Sequence, residues 1–156
     1  MLRLGLSVAL LVGVLDQISK QILMDWLAQS PRGIEVTGFF NLVTVWNRGV
    51  SFGMFNSAGD AGPWILSALA VAISIGLVVW MRRAESRMLA VALGLVVGGA
   101  LGNVVDRMVY GAVYDFLDVH AWGYHWPAFN LADSAITLGV LGILADGLFT
   151  RRKEPM

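Results

Sequence analysis

The chain has 156 residues, of which 57% are hydrophobic and 14% are charged, and its formal net charge is zero. Soluble domains carry about 25% charged residues, so the composition excludes an ordinary soluble fold. The lack of a basic excess argues against nucleic acid as a partner. The lack of cysteine excludes disulfides, thiolate catalysis and cysteine-bound metal. Several runs of about 20 apolar residues predict an integral membrane protein.

The first predicted helix covers residues 4–24 and is long enough to span a membrane. A cleaved signal peptide is the alternative, because a basic start precedes a short apolar run. We favour the spanning helix, since Asp16 and Lys20 interrupt the apolar core and no small-x-small cleavage site follows. Gly13 and Gln17 join these two residues at helical spacing, which places all four on one polar stripe.

Residues 25–62 are predicted to form a small β-rich segment outside the membrane. Pro31-Arg32-Gly33 is a turn signal, and residues 39–46 are rich in the β-branched and aromatic side chains typical of strands. Glycines in the second half of the segment interrupt any longer element. We therefore expect a small sheet that lies on the bilayer surface.

Three further spanning helices are predicted over residues 63–81, 88–106 and 128–149. In the second of these, a glycine recurs every fourth residue, which lets another helix approach closely: Gly94, Gly98 and Gly102. The predicted fold class is an all-α polytopic membrane protein, a single domain over residues 1–156. It has four transmembrane helices and a small extramembrane β-rich segment on the outer face.

Residues 107–127 are predicted to form an outer loop. We interpret Asp118, His120 and His125 as solvated residues of this loop. Two histidines without a third ligand, or without a His-Glu-x-x-His helix, are a poor zinc site. No metal is therefore expected.

The basic residues predict the orientation in the membrane. Arg3, the loop at 82–87 and the tail at 151–153 fall on one side of a four-helix protein, which the positive-inside rule makes cytoplasmic. Both termini are thus expected in the cytoplasm. The polar residues of three helices then lie at one depth, near the outer face: Asp16, Lys20, Asn103, Asp106, Arg107, Asn130 and Asp133.

Asp115 in the outer loop and Asp133 at the outer start of the last helix form the candidate reactive pair. A charge in the membrane interior costs about 2.5–3.5 kcal/mol on insertion scales, so a cluster at one depth indicates a shared site. Either carboxylate alone has an ordinary explanation, as a solvated loop residue or as a relay or packing group. Together they favour acid–base chemistry.

Two neighbouring polar pairs also have ordinary explanations. Asp16 with Lys20 fits an ion pair between successive helical turns that eases membrane insertion. Asp106 with Arg107 fits the end of a helix at the membrane interface.

Five sequence motifs follow one another along nearly the whole chain. They are Asp16-Gln17-Ile18-Ser19-Lys20, Asn47-Arg48-Gly49-Val50-Ser51-Phe52, Gly98-Gly99-Ala100-Leu101-Gly102-Asn103-Val104-Val105-Asp106-Arg107, Val113-Tyr114-Asp115-Phe116 and Phe129-Asn130-Leu131-Ala132-Asp133-Ser134. In this order they resemble the motifs of the prolipoprotein signal peptidases (signal peptidase II), the aspartyl proteases of the bacterial cytoplasmic membrane. The short Asp-Phe motif is weak alone, whereas the third and fifth motifs in register are specific.

The resemblance implies that Asp115 and Asp133 are a catalytic dyad. It implies that six further residues line or support the site: Asp16, Lys20, Asn47, Asn103, Arg107 and Asn130. The implied activity removes signal peptides from prolipoproteins, by cleavage on the amino side of a cysteine that carries diacylglycerol, with inhibition by the cyclic peptide globomycin. We expect a monomer in the bacterial cytoplasmic (inner) membrane, in contact with membrane lipid, with its site near the outer face and without cofactor, metal or nucleic acid.

Three other functions stay open on the residues alone. A small proton-coupled transporter or ion pathway would use intramembrane Asp and Lys as a relay, although all but Asp146 cluster at one depth. A Ser–Lys protease would pair Lys20 with Ser51 or Ser19. A non-enzymatic assembly factor is disfavoured by the aspartate pair. We also expect residues 47–53 to cover the site when substrate binds.

Overall fold

The computed structural model describes residues 1–30, 32–49 and 61–151. Its elements in chain order are α1 (Leu2–Leu27), β1 (Ile34–Thr37), β2 (Phe40–Asn47), α2 (Gly62–Met81), α3 (Arg87–Tyr110), β3 (Val113–Ala121), β4 (Tyr124–His125) and α4 (Leu131–Arg151). Within these ranges, four helices are long and apolar enough to cross a membrane. The predicted fold class, four spanning helices with a small antiparallel sheet, is confirmed.

Helix α4 begins at Leu131, three residues later than predicted. The N–H of Asp133 donates to Asn130 Oδ1 at 2.9 Å, and the N–H of Asn130 donates to Asp133 Oδ2 at 3.2 Å. This reciprocal pair is a capping box, which satisfies N–H groups that lack partners within the helix. Pro127 therefore precedes the cap and does not open the helix.

The prediction that residues 107–127 form a loop is wrong, because most of them belong to a helix or a strand. Helix α3 continues to Tyr110, and β3 and β4 follow it. The four strands pair antiparallel in the order β1-β2-β3-β4, so the sheet draws on the segment between α1 and α2 and on the segment between α3 and α4. Leu27 at the end of α1 and Leu42 of β2 pack with Tyr114 and Phe116 of β3, which seats the sheet on the helices.

Helix α3 is the central helix and packs against the other three. A Cβ atom on Gly94 or Gly98 would come within 3.0 Å of backbone oxygens of α1. A Cβ atom on Gly99 would meet the carbonyl of Ala132 in α4 in the same way. The predicted glycine ladder therefore brings α1 close to α3, and the adjacent Gly99 does the same for α4.

Candidate active site

Asp115 lies on β3, opposite Val45 of β2, and only 2% of its surface is exposed. Its Oδ1 accepts a hydrogen bond of 2.7 Å from the side-chain amide of Asn130, and its Oδ2 accepts one of 3.2 Å from Asn47. Both donors are neutral amides. They hold the carboxyl in place without adding a charge beside it.

Asp133 lies in the first turn of α4. Its Oδ1 accepts a hydrogen bond of 2.8 Å from the side-chain amide of Asn103, and its Oδ2 accepts the backbone N–H of Asn130 at 3.2 Å. Asn130 therefore donates to Asp115 through its side chain and to Asp133 through its backbone. The structure thus brings the two aspartates, 18 positions apart in the chain, around one asparagine.

Lys20 is fully buried, and its ammonium contacts three acceptors. Nζ lies 2.8 Å from Asp16 Oδ2, 2.8 Å from Asp106 Oδ2 and 3.1 Å from Asn103 Oδ1. Asn103 Oδ1 also accepts the Asn130 amide at 3.2 Å. With two donors on its oxygen, the Asn103 amide turns its Nδ2 toward Asp133.

Asp106 has more partners than its sequence position suggested. Its Oδ1 accepts from Gln17 at 2.8 Å, and its Oδ2 accepts from Lys20 and, at 3.1 Å, from the backbone N–H of Tyr114. Tyr114 immediately precedes Asp115, so Asp106 ties the backbone of β3 to α1. Its interpretation as a simple helix end was wrong. The sequence did contain a signal for the role of Asp106 in this cluster, because Asp106 lies three residues after Asn103 and therefore on the same face of the helix.

Asp16 joins the same cluster from α1. Its Oδ1 accepts the backbone N–H of Ala132 at 2.9 Å, at the positive end of α4, while its Oδ2 contacts Lys20. The ion pair between Asp16 and Lys20 exists as the spacing predicted. Since it also joins α3 and α4, it does more than ease membrane insertion.

Arg107 lies at the edge of the site. Its guanidinium donates to the carbonyl of Asn103 at 3.4 Å and to the carbonyl of Gly49 at 3.5 Å. Asn47 accepts the N–H of Gly49 at 3.1 Å. Arg107 and Asn47 therefore both hold the chain at Gly49. Residues 50–53 of the proposed cover, and Ser51, lie outside the described residues.

Asp118 is not the solvated loop residue that the sequence predicted, whereas His125 has an exposed side chain, as predicted, but lies on strand β4. Asp118 is 7% exposed and accepts hydrogen bonds from Asn41 at 2.8 Å and from His125 Nδ1 at 2.9 Å. Burial raises the pKa of Asp118, but the bonds from His125 and Asn41 outweigh it, and its pKa lies below the ordinary value. The imidazoles of His120 and His125 stack 4.7 Å apart.

The electrostatics of Asp115 differ from those of Asp118. Burial raises the pKa of Asp115, and the nearby charge of Asp133 raises it further. The hydrogen bonds from Asn47 and Asn130 only partly offset these effects, so the pKa is about 7. Two carboxyl groups around one asparagine, one with such a pKa, can hold a single proton between them near neutral pH.

An apolar groove with a volume of about 550 Å³ opens beside Asp133. It runs between the first turns of α4 and the segment before this helix, and is lined by Trp126, Pro127, Phe129, Asp133, Ser134, Thr137 and Leu138. Asp133 therefore borders an apolar groove. Over the part of the chain that the structure describes, no group of three or more His, Asp or Glu residues could hold a metal ion.

The family model for signal peptidase (SPase) II matches residues 8–149 of the chain. The chain belongs to the signal peptidase II family. Lipoprotein signal peptidases of Methylorubrum extorquens and Burkholderia vietnamiensis are 49% identical over 156 residues and 43% identical over 144 residues. The alignments cover 98% and 92% of this chain, and 90% and 86% of those relatives.

A solved bacterial membrane enzyme structure, obtained by the in meso method at 2.3 Å resolution, superposes with a TM-score of 0.80 at 30% identity. The superposition covers 97% of this signal peptidase and 92% of that chain. The resemblance drawn from the motifs is therefore confirmed. This signal peptidase is a multi-pass membrane protease, and hence a hydrolase.

Proposed function

We propose that this signal peptidase is an aspartyl endopeptidase in which Asp115 and Asp133 form the catalytic dyad. It removes signal peptides from prolipoproteins, and it cuts on the amino side of a cysteine that already carries diacylglycerol. The observation that carries the proposal is the arrangement of both carboxyl groups around Asn130, with the pKa of Asp115 at about 7.

The chemistry needs one proton on the dyad. The ionised carboxylate takes a proton from a water molecule, whose oxygen attacks the carbonyl carbon of the scissile bond, while the protonated carboxyl donates to the carbonyl oxygen. The tetrahedral intermediate then collapses. Its C–N bond breaks, the protonated carboxyl of the dyad donates to the amine of the cysteine, and the other carboxylate takes a proton from one hydroxyl of the intermediate. The new acid group leaves with the signal peptide, and the dyad again holds one proton.

The surroundings of the dyad support a substrate with a lipid group. The groove beside Asp133 is apolar and lies against α4, so a chain in the membrane reaches it laterally. Asp16, Lys20, Asn47, Asn103, Arg107 and Asn130 act here as supporting residues.

The proposed location is the bacterial cytoplasmic membrane, with both termini in the cytoplasm and the dyad near the outer face. The enzyme acts as a monomer in contact with membrane lipid, and globomycin inhibits it. The basic clusters on one side of the four helices support this orientation.

The rival functions receive less support. In a Ser–Lys protease the lysine must accept a proton, but Lys20 is held by two carboxylates and an amide. Ser19 donates to the carbonyl of Asp16 at 2.8 Å, within its own helix. A transporter or an assembly factor does not account for membership in a peptidase family.

The test is cleavage of a diacylglyceryl-modified prolipoprotein by the purified enzyme, with and without globomycin. We expect release of the signal peptide, inhibition by globomycin, and no cleavage of the precursor that lacks diacylglycerol. Equal cleavage of the unmodified precursor would contradict the proposed substrate. Full activity of the Asp115→Asn variant would contradict the proposed mechanism.

A further inference from the structure

A second groove lies on the extramembrane sheet, next to the dyad but outside the membrane-facing side of α4. Its volume is about 620 Å³, within the range of ligand-binding sites. We call it the sheet groove, and its main lining residues are Asn41, Val43, Val45, Asp118, His125 and Trp126.

One end of the sheet groove lies next to Asp115, because the groove residue Val45 pairs with Asp115 across the two strands. Asn41, Val43 and Val45 of β2 all line the groove, and the register of β2 against β3 shifts between Leu42 and Val45. Asn47 donates to Asp115 at one end of this row of residues, and Asn41 donates to Asp118 at the other end. The β2 partners of Asp115 and Asp118, which are Val45 and Asn41, therefore lie toward the two ends of the groove, and the two aspartates are three residues or about 10 Å apart along β3.

The sheet is distorted between the two aspartates. In β3 the N–H groups of Phe116 and Leu117 both donate to the carbonyl of Phe129, at 3.1 and 2.8 Å, which is the pattern of a β-bulge. On the other side of β3, Val43 and Thr44 of β2 lie opposite Phe116 alone. The groove between Val45 and Asn41 is therefore built on an irregular stretch of the sheet.

The chemistry of the sheet groove differs from that of the apolar groove. Its far end carries the ionised carboxylate of Asp118 with Asn41 and His125, and Arg32 also lines it. An acyl chain would leave these polar groups without water, which is unfavourable. Trp126 and Pro127 line both grooves and separate them.

A prolipoprotein has two different parts near its scissile bond. The signal peptide and the diacylglycerol belong in the membrane, while the chain after the cysteine is polar and extramembrane. We propose that the sheet groove binds the two or three residues that follow the lipid-modified cysteine, in an extended conformation, on the row from Val45 to Asn41. This rests on the function proposed above and assigns a separate site to the mature end of the substrate.

The first test compares substrates of different length. Lipid-modified peptides that end at the cysteine amide, or continue for one, two, three or six residues, are cleaved by the purified enzyme. We expect kcat/KM to rise by about tenfold over the first three residues, as one or two added hydrogen bonds would give, and then to level off. Val43→Trp, which fills the groove, removes this rise but leaves cleavage of the shortest peptide unchanged.

The matched control is Val36→Trp, on the exposed strand β1 and outside the groove. It should keep the full length dependence. An equal loss by Val43→Trp on short and long peptides would overturn the inference, and so would a wild-type enzyme indifferent to peptide length. No cleavage of any lipid-modified peptide by the wild-type enzyme would instead reject the proposed function.

A second test does not depend on turnover. A photoreactive benzoylphenylalanine is placed at Val43, or at Thr44, which points to the other face of β2 and lies 3.4 Å from the Tyr114 hydroxyl. We expect substrate that extends past the cysteine to crosslink at position 43 and not at position 44. Crosslinking at position 43 by the shortest peptide, or by lipid alone, would identify another occupant and overturn the inference.

Discussion

The side-chain amide of Asn130 donates to Asp115 at 2.7 Å, and this bond joins the start of α4 to β3. The same residue caps α4 through its carbonyl oxygen Oδ1. A capping residue that also binds a dyad carboxyl fixes the helix and the reactive group with one side chain. The position of α4 and the position of Asp115 are therefore not independent.

Replacement of either dyad residue should abolish cleavage. Asp115→Asn and Asp133→Asn keep the size of the side chain but cannot exchange the proton, so we expect a loss in kcat of at least about 10³-fold. The double variant should be little slower than either single one, because the two groups act as a unit. Glu35→Gln, on the exposed strand β1, is the control and should keep its activity. Turnover by a folded single variant would reopen the Ser–Lys mechanism.

The rate should depend on a group that titrates near neutral pH. The pKa of Asp115 is about 7 because of burial and the charge of Asp133. Above this pH the dyad loses its shared proton, so kcat/KM should fall as pH rises through about 7. The apparent value belongs to the pair and not to one residue. A rate that stays constant from pH 6 to pH 9 would contradict this assignment.

The same group should lower stability at high pH. An acid whose pKa is higher in the folded state than the ordinary 3.8 binds its proton more tightly there. The contribution of this tightly bound proton to the unfolding free energy is present at low pH and is lost as pH rises toward about 7. We therefore expect Asp115→Asn to melt at a higher temperature than the wild type at pH 8, with an unfolding free energy that is larger by about 1–3 kcal/mol. At pH 4 the two proteins should have nearly the same stability. Thermal melts in detergent at both pH values decide this.

Lys20 should be needed for stability as well as for the site. Lys20→Met leaves the carboxylates of Asp16 and Asp106 without their counter-ion, and breaking a buried ion pair costs about 3–5 kcal/mol. Arg3→Met removes an exposed charge and is the control. Adding Asp106→Asn to Lys20→Met should recover part of the lost melting temperature. A double variant less stable than Lys20→Met would contradict this account of the cluster.

Two glycine substitutions should separate close packing from helix propensity. Gly99→Ala would place a Cβ against the carbonyl of Ala132, one residue before Asp133, whereas the Cβ of Gly76→Ala meets nothing within 4 Å. We expect Gly99→Ala to lower both the melting temperature and the activity. Gly76→Ala should be neutral, or stabilise by up to about 1 kcal/mol. Equal behaviour of the two variants would contradict the packing role of Gly99.

Much of the architecture could be predicted from the sequence. The spanning helices follow from apolar runs of about 20 residues, which have few alternatives in a membrane. The polar stripe with Asp16 and Lys20 follows from helical spacing, which is local and regular. The motifs around Asp115 and Asp133 pointed to the family because their residue types and order are specific.

The sheet could not be predicted in full. Strand β2 ends at Asn47, 66 positions before its partner β3 begins at Val113, and two helices lie between them. Nothing local in residues 107–127 specifies that pairing, because a strand is stabilised by its neighbours across the sheet. For this reason Asp118 was mistaken for a solvated loop residue, and the strand that carries His125 was missed.

The sequence by itself determined the class of the molecule, the helices and the identity of the polar residues, because hydrophobic burial and helical periodicity are local properties. Only the tertiary structure decided that Asp106 joins Lys20 to the backbone before Asp115, that Asn130 binds both dyad aspartates, and that Asp118 and Val45, the strand partner of Asp115, line one groove. These are contacts between distant segments. They depend on the distance and direction of individual donors and acceptors, which no spacing along the chain contains.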